Sequence, residues 1–251
     1  MKNFNFKIRE WIKFKVLRPM LLGLGNSMGP YSAVGMHPVY DNSDFPWTVL
    51  LETNYPVIRK ELEKVLVDQE RLPSLQQIQR EQEVLNQDNR WQTFFLYGFG
   101  TKVTRNCALC PETTSLLEQI PDMKTAFFSV LAPGKHIPAH KGLFKGIIRS
   151  HLGMIIPGRP GDCRMRIEER EIHWKEGEVV VFDDTFDHEV WNDTDKTRVV
   201  LLIDVLRPFR GPLAWLNRGV VKLIGKSSFV TEAMKNHRQW EARFYARQGV
   251  T

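Results

Sequence analysis

Two histidines, 48 positions apart, have the type and spacing best suited to metal chemistry. His140 lies in "PGKHIPAHKG" and His188 in "DDTFDHEVWND". Neutral imidazole binds Fe, Cu, Ni and Zn alike, so the two histidines alone do not choose the metal. Non-haem iron oxygenases add one carboxylate, two residues after the first histidine. That position is Gly142 in this chain, so the usual third ligand is missing.

An arginine follows the second histidine by ten positions. Arg198 could hold a dicarboxylate through a bidentate pair of hydrogen bonds, which the planar guanidinium favours. If the turn in "HEVWNDTDKTRVV" centres on Asp193, His188 and Arg198 face each other across one hairpin. The spacing then predicts that a metal and an anionic co-substrate share one pocket.

Alternation along a third segment places further polar groups beside this pocket. In "GIIRSHLGMIIP", strand geometry puts Arg149 and His151 on one face and Ile148, Leu152 and Met154 on the other. The apolar face is expected to pack against helices. The polar face is expected to point inward, where such groups need a ligand, an ion or a partner.

The elements that must position these residues are mainly strands. From about residue 124 to 208, seven short β-prone runs are separated by Gly, Pro and Asp turns, a pattern typical of an antiparallel sandwich, jelly roll or barrel. Helical spacing over 54–72 and 113–120 predicts helices in the preceding part. The expected fold is mainly β with helical additions, the helices of the N-terminal part packing on one sheet.

The formal net charge of +6 is unevenly distributed. Residues 1–25 carry six basic side chains and one acidic, and residues 207–251 carry nine basic and two acidic. We therefore divide the chain into a basic amphipathic segment (1–25), one domain (26–208) and a basic helical tail (209–251). Basic ends on an acidic middle favour contact with an anionic membrane rather than a nucleic-acid groove.

Neither a membrane span nor a signal peptide is recognisable at the N-terminal end, where lysines interrupt the apolar residues. Cys107 and Cys110 form a CxxC without a second close pair to complete a zinc site, so reduced thiols are expected. Both features predict a cytoplasmic protein, with peripheral contact at the inner membrane face as an option.

Taken together, "CPETTSLLEQIP", "FSVLAPGKHIPAHKG", "RSHLGMIIP" and "WKEGEVVVFDDTFDHEVWNDTDKTRVVLLIDVLRP" resemble the aspartyl/asparaginyl β-hydroxylase family of Fe(II)- and 2-oxoglutarate-dependent dioxygenases, which includes bacterial lipid A hydroxylases. The resemblance implies a double-stranded β-helix (jelly-roll, cupin-like) core. It implies that His140 and His188 bind iron, and that O2 and 2-oxoglutarate are co-substrates. The residues that would contact 2-oxoglutarate are Ser129, Arg149, His151 and Arg198.

The substrate class stays open at this point. Glycine at position 142 is shared with peptide-hydroxylating members of the family, whereas the spacing of "FKGIIRSHLG" is more similar to the bacterial branch. Hydroxylation of a peptidyl or small-molecule substrate is the first expectation. Hydroxylation of a lipid A-type acyl chain is the alternative, and a non-catalytic cupin-like binding protein is a second alternative. A halogenase is a minor variant, since the vacated carboxylate position could admit halide.

Three aspartates close to His188 could either orient its ring or end strands and turns, and the second role is favoured slightly. They are Asp183, Asp184 and Asp187. The other histidines, His37, His136, His173 and His237, are expected to be structural.

Overall fold

The computed structural model describes residues 18–79 and 88–246. Its core is two antiparallel sheets, a six-stranded one in the order β2-β1-β3-β10-β5-β8 and a four-stranded one in the order β4-β9-β6-β7. The strands are β1 (Trp91–Gly98), β2 (Thr101–Lys102), β3 (Met123–Leu131), β4 (Lys135–His140), β5 (Ile147–Ile155), β6 (Cys163–Ile167), β7 (Arg170–His173), β8 (Val179–Phe182), β9 (His188–Asn192) and β10 (Arg198–Leu206). This is the jelly-roll, double-stranded β-helix core that the sequence predicts.

Helices precede, interrupt and follow the strands. They are α1 (Arg18–Met28), α2 (Thr48–Thr53), α3 (Tyr55–Leu66), α4 (Leu75–Ile78), α5 (Thr104–Leu109), α6 (Pro111–Glu118), α7 (Pro212–Gly225) and α8 (Ser228–Ala246). The helices predicted over 54–72 and 113–120 correspond to α3 and α6. The cysteines of the CxxC pair are both buried and form no disulfide.

Both faces of the large sheet carry apolar clusters, and each face has its own partner. Phe128 and Leu201 belong to the outer cluster, which also contains Ile58 and Leu62 of α3. Phe127 belongs to the inner cluster, together with residues of the small sheet. Alternate residues of one strand therefore contact the helical layer and the interior between the sheets. The outer face packs against helices, and the inner face can carry the polar residues of a site.

Strand β5 follows the predicted alternation. Ile148, Leu152 and Met154 lie in the outer cluster with the helices, whereas the ring of His151 contacts Phe182 of the inner cluster. The predicted assignment of faces is confirmed. It places Arg149 and His151 on the face toward the interior between the sheets.

The large sheet extends beyond the region of about 124–208 predicted for it. Strand β1 pairs with β3 along its length, and almost all of its side chains are buried. Because β1 is covered on both faces, its sequence "WQTFFLYG" is a nearly continuous apolar run without alternation. Such a run lacks the alternation that identifies a strand, and β1 is therefore not recognisable from the sequence.

The basic ends differ in how far the structure describes them. Most of the predicted amphipathic segment 1–25 lies outside the described residues, and α1 crosses its boundary with the predicted domain. At the other end, Phe244 and Tyr245 of α8 are buried in the outer cluster. The described part of the predicted tail, residues 209–246, is therefore packed against the body through α8.

Candidate active site

The two predicted metal ligands lie side by side on the small sheet. His140 of β4 is directly opposite His188 of β9, and their ring centroids are 4.1 Å apart. The register shifts between Ile137 and His140, so one extra residue is accommodated in β4. A bulge of this kind redirects side chains. It pairs His140, rather than Ala139, with His188.

The backbone fixes the protonated nitrogen of each ring. His140 Nδ1 donates to the carbonyl of Pro138 at 2.8 Å, and His188 Nδ1 donates to that of Phe186 at 3.0 Å. Since a carbonyl can only accept, each Nδ1 carries the proton and each Nε2 keeps its lone pair. Burial lowers the pKa of His140 and of His188 to about 4, so both rings are neutral at physiological pH.

The predicted hairpin between His188 and Arg198 is wrong. Strand β9 pairs with β4 and β6, whereas β10 pairs with β3 and β5 in the other sheet. The segment 193–197 therefore crosses between the sheets instead of forming a tight turn within one. The two residues still meet the same interior, because they start strands that face each other across it.

Arg198 is a buried cation that forms no ion pair with a carboxylate among residues 18–79 and 88–246. Its side chain is 2% exposed, and its Nε has no hydrogen-bond partner among the described residues. Its guanidinium lies 4.0 Å from the ring centroid of Trp174, and burial lowers its pKa to about 10. An unpaired buried charge is costly, so this position is prepared for an anion.

Two other predicted co-substrate residues are near Arg198. Ser129 lies diagonally across the β3–β10 pair, on the same face of the sheet. Its hydroxyl oxygen accepts a hydrogen bond from the indole of Trp91 at 3.0 Å, which leaves its proton to be donated. His151 is buried, and neither ring nitrogen has a partner in the described part of the chain. Burial, with Arg198 nearby, holds the pKa of His151 well below its usual value.

Arg149 differs from Arg198 because two carboxylates neutralise it. It donates to Asp204 at 2.8 and 3.1 Å, directly across the β5–β10 pair, and lies 3.1 Å from Asp184. These carboxylates keep its pKa above the usual value despite burial. Contact between Arg149 and 2-oxoglutarate stays a prediction, and an arginine held in this way has little freedom to move.

The three aspartates near His188 have separate partners. Asp183 pairs with Arg207 in a fully buried ion pair, Asp187 pairs with Arg166, and Asp184 pairs with Arg149. The ring of His188 is oriented by a backbone carbonyl instead. The charge of Asp184 acts on His140 and that of Asp187 acts on His188. Burial raises the pKa of Asp184.

Sequence reasoning missed Trp174 and Asp204. Trp174 lies between β7 and β8, where spacing gives no sign that it will stack on a distant arginine. Asp204 could have been found, because it is the one charged residue in the apolar run "VVLLIDVL". A carboxylate inside a central strand requires a buried partner, and Arg149 is that partner.

The donor set fits a metal with two protein ligands. No group of three or more His, Cys, Asp or Glu that could hold a metal ion occurs within residues 18–79 and 88–246. The imidazole pair presents two nitrogen lone pairs beside a buried arginine and an unpartnered histidine. An ion held by such a pair keeps most of its coordination positions for other ligands.

Fold and site together define a double-stranded β-helix protein with a neutral histidine pair on one sheet and buried polar side chains, Arg198 among them, on the other. The chain belongs to the aspartyl/asparaginyl β-hydroxylase family, whose sequence profile matches residues 52–208. It is therefore a member of a family of hydroxylases, as the sequence motifs predict.

Two relatives show how this family divides. The chain is 44% identical over 216 residues to the ornithine lipid ester-linked acyl 2-hydroxylase of Rhizobium tropici, covering 86% of this chain and 77% of that protein. It is 31% identical over 199 residues to human aspartyl/asparaginyl β-hydroxylase, covering 74% of this chain and 26% of that protein. The chain thus spans about a quarter of the human protein.

Among solved structures, a cupin domain of an XRE family transcriptional regulator from Enterobacter cloacae is similar, with 16% identity and a TM-score of 0.33. It covers 47% of this chain and 99% of that chain. The order and pairing of the strands in the two sheets define the jelly-roll fold of the chain.

Proposed function

We propose that the protein is an Fe(II)- and 2-oxoglutarate-dependent dioxygenase that hydroxylates an unactivated C–H bond. The observation that carries the proposal is the neutral His140–His188 pair facing the same interior as the unpaired, buried Arg198. The pair suits a divalent metal, and the arginine suits a carboxylate. Bound iron would supply the oxidising chemistry, while the chain binds, orients and excludes water.

Five of the predicted site residues have a role in this proposal. His140 and His188 would hold the iron through Nε2. Arg198 and Ser129 would take the distal carboxylate of 2-oxoglutarate, a charge-assisted arrangement that relieves the cost of the buried guanidinium. His151 would donate to the other end of the diacid. The aromatic rings of Phe182 and Trp174 border these groups and exclude water from them.

We propose an ester-linked acyl chain of a polar lipid as the substrate. The relative with 44% identity is named as a hydroxylase of an ester-linked acyl chain of ornithine lipid, and the match covers most of both proteins. The match to the human enzyme is weaker and covers a quarter of it. Lipid hydroxylation, the alternative in the sequence analysis, therefore has better support than the peptidyl substrate placed first there.

Peptidyl β-hydroxylation remains a second candidate because of Gly142. Glycine at this position is the feature that the sequence shares with the peptide-hydroxylating branch. The two candidates use the same iron site and differ only in the molecule that enters.

The test supplies the purified protein with Fe(II), 2-oxoglutarate and air, together with either ornithine lipid or an aspartate-containing peptide. Mass spectrometry should detect the addition of one oxygen to the acyl chain, with one succinate formed per hydroxylation. His188→Ala should abolish both products. His136→Ala, at an exposed ring stacked on Trp191, should retain them.

Three results would contradict parts of the proposal. Hydroxylation of the peptide but not the lipid would select the second candidate. Hydroxylation that continued in His188→Ala would show that the histidine pair is not part of the active site. Lipid hydroxylation without 2-oxoglutarate would show that 2-oxoglutarate is not the co-substrate.

A further inference from the structure

Helix α7 exposes large apolar side chains instead of burying them. Trp215 is 77% exposed, Leu223 70% and Leu216 44%. The helix faces the protein through Asn217 and Val221, which are buried. At about 100° per residue, the three exposed residues lie on the side opposite those two. A surface helix normally carries polar residues on that side, so this one marks an interaction surface.

The charged side chains of α7 itself are all basic, and one of them, Arg218, pairs with Asp122. Lys222 and Lys226 are exposed on the same side of α7. Arg210 is exposed just before the helix. The helix sequence "PLAWLNRGVVKLIG" contains no Asp or Glu. We call Trp215, Leu216, Leu223, Lys222 and Lys226 the α7 face.

The α7 face is connected to the candidate active site by one short loop, residues 141–146. At the loop's end, Asn217 of α7 donates to the carbonyl of Gly146 at 2.9 Å, and Phe144 is buried in a cluster with Val221. At its beginning, the amide of Gly142 donates to the carbonyl of Asp184 at 2.7 Å. The loop sequence "KGLFKG" has two lysines, no acidic residue and the exposed Leu143.

We propose that the α7 face docks this protein on an anionic phospholipid bilayer and thereby holds the 141–146 loop, and the site beside it, at the membrane surface. Tryptophan and leucine enter the interfacial region, and the adjacent lysines contact lipid phosphates. The inference rests on the proposed lipid substrate, whose acyl chain stays in the membrane and must be reached there. No helix among the described residues is long and apolar enough to cross a bilayer.

The charge of the α7 face favours an anionic bilayer as its partner. An exposed tryptophan and two leucines on a helix whose own charged side chains are all basic match an apolar layer covered by anionic headgroups. A second copy of this chain would bring the same cations together, and like charges oppose that contact.

The test compares the full-length wild type with a Trp215→Glu/Leu223→Glu variant. Both carry residues 1–25, so any difference reports the α7 face alone. Val67→Glu is the matched control, because Val67 is 84% exposed and lies outside this face. Binding is measured by co-sedimentation with vesicles of phosphatidylcholine containing 30% phosphatidylglycerol. We expect the double variant to bind at least about tenfold more weakly and the control to bind like wild type.

A second arm separates docking from chemistry. Hydroxylation of the lipid is measured both in the same vesicles and dispersed in detergent. If docking is correct, the double variant loses turnover in vesicles and keeps it in detergent. Wild type that binds vesicles but hydroxylates no lipid in either form would contradict the proposed substrate while leaving docking intact.

Two outcomes would overturn the docking proposal. One is unchanged vesicle binding in the double variant. The other is a wild-type dimer, detected by light scattering, that the double variant converts to monomer without a change in vesicle binding. That result would assign the α7 face to a second copy of the chain.

Discussion

The carboxylate of Asp184 fills the space that a side chain on Gly142 would need. A Cβ built on Gly142 would overlap this carboxylate, and the backbone amide of Gly142 already donates to the Asp184 carbonyl. The glycine at position 142 and the aspartate at 184 are therefore one structural feature. The space beside Gly142 belongs to a carboxylate that is paired with Arg149.

This contact predicts strong coupling between positions 142 and 184. Gly142→Ala should lower the free energy of unfolding by about 1–3 kcal/mol, because overpacking forces Asp184 to move. In the Asp184→Ala background the same change should cost much less, since the space is then free. Urea unfolding of the four proteins in the cycle measures the coupling. Equal costs of Gly142→Ala in both backgrounds would show that the contact is unimportant.

Arg198 should matter for the co-substrate and not for folding. Replacing it by methionine removes a charge-assisted carboxylate contact of about 1.5–3 kcal/mol, so the KM for 2-oxoglutarate should rise roughly 10- to 150-fold. The free energy of unfolding of the metal-free protein should stay the same or increase, because an unpaired buried charge is removed. Steady-state kinetics and urea unfolding check the two parts. An unchanged KM for 2-oxoglutarate would show that Arg198 does not bind the co-substrate.

Asp204 should be important for stability because it neutralises Arg149 inside the sheet. Asp204→Asn should cost roughly 3 kcal/mol of unfolding free energy, since it leaves the arginine partly uncompensated. Asp187→Asn is the matched control, because the Asp187–Arg166 pair is more exposed. That substitution should cost no more than about 1 kcal/mol. Similar costs at both positions would mean that burial of the Arg149 pair has no energetic consequence.

Buried neutral histidines should make stability fall in mild acid. The pKa of His237 is lowered by burial from 6.5 to about 4, so between these values the unfolded chain binds a proton that the folded chain does not. Stability is therefore complete above pH 6.5 and decreases as the pH falls toward 4. By pH 5, this one residue should cost about 2 kcal/mol.

Replacement of His237 by phenylalanine isolates this effect. The ring lies against Phe95 and Trp240, and its Nε2 has no partner in the described chain, so an apolar ring should fit. Urea unfolding of metal-free protein from pH 8 to 5 should show a shallower dependence in His237→Phe. His37→Phe, at an exposed histidine, is the matched control. The same slope in all three proteins would contradict the assignment.

The candidate site was largely predictable residue by residue because the types and order of its polar groups are local properties of the sequence. Alternation placed His151 on the inner face of β5 and Ile148 on the outer face, as found. The helices over 54–72 and 113–120 followed from apolar spacing. Strand β1 did not, because a strand buried on both faces has no alternation to detect.

The sequence by itself determined the family, the jelly-roll class and the pair of histidines, since these depend on residue identity and period. Only the tertiary structure decided that His188 and Arg198 come from different sheets, that a bulge in β4 brings His140 opposite His188, and that Asp204 neutralises Arg149. Register and sheet membership are set by which strands pack together over long distances in the chain. No local spacing encodes such a choice, because a shift of one residue in a strand reverses every side chain.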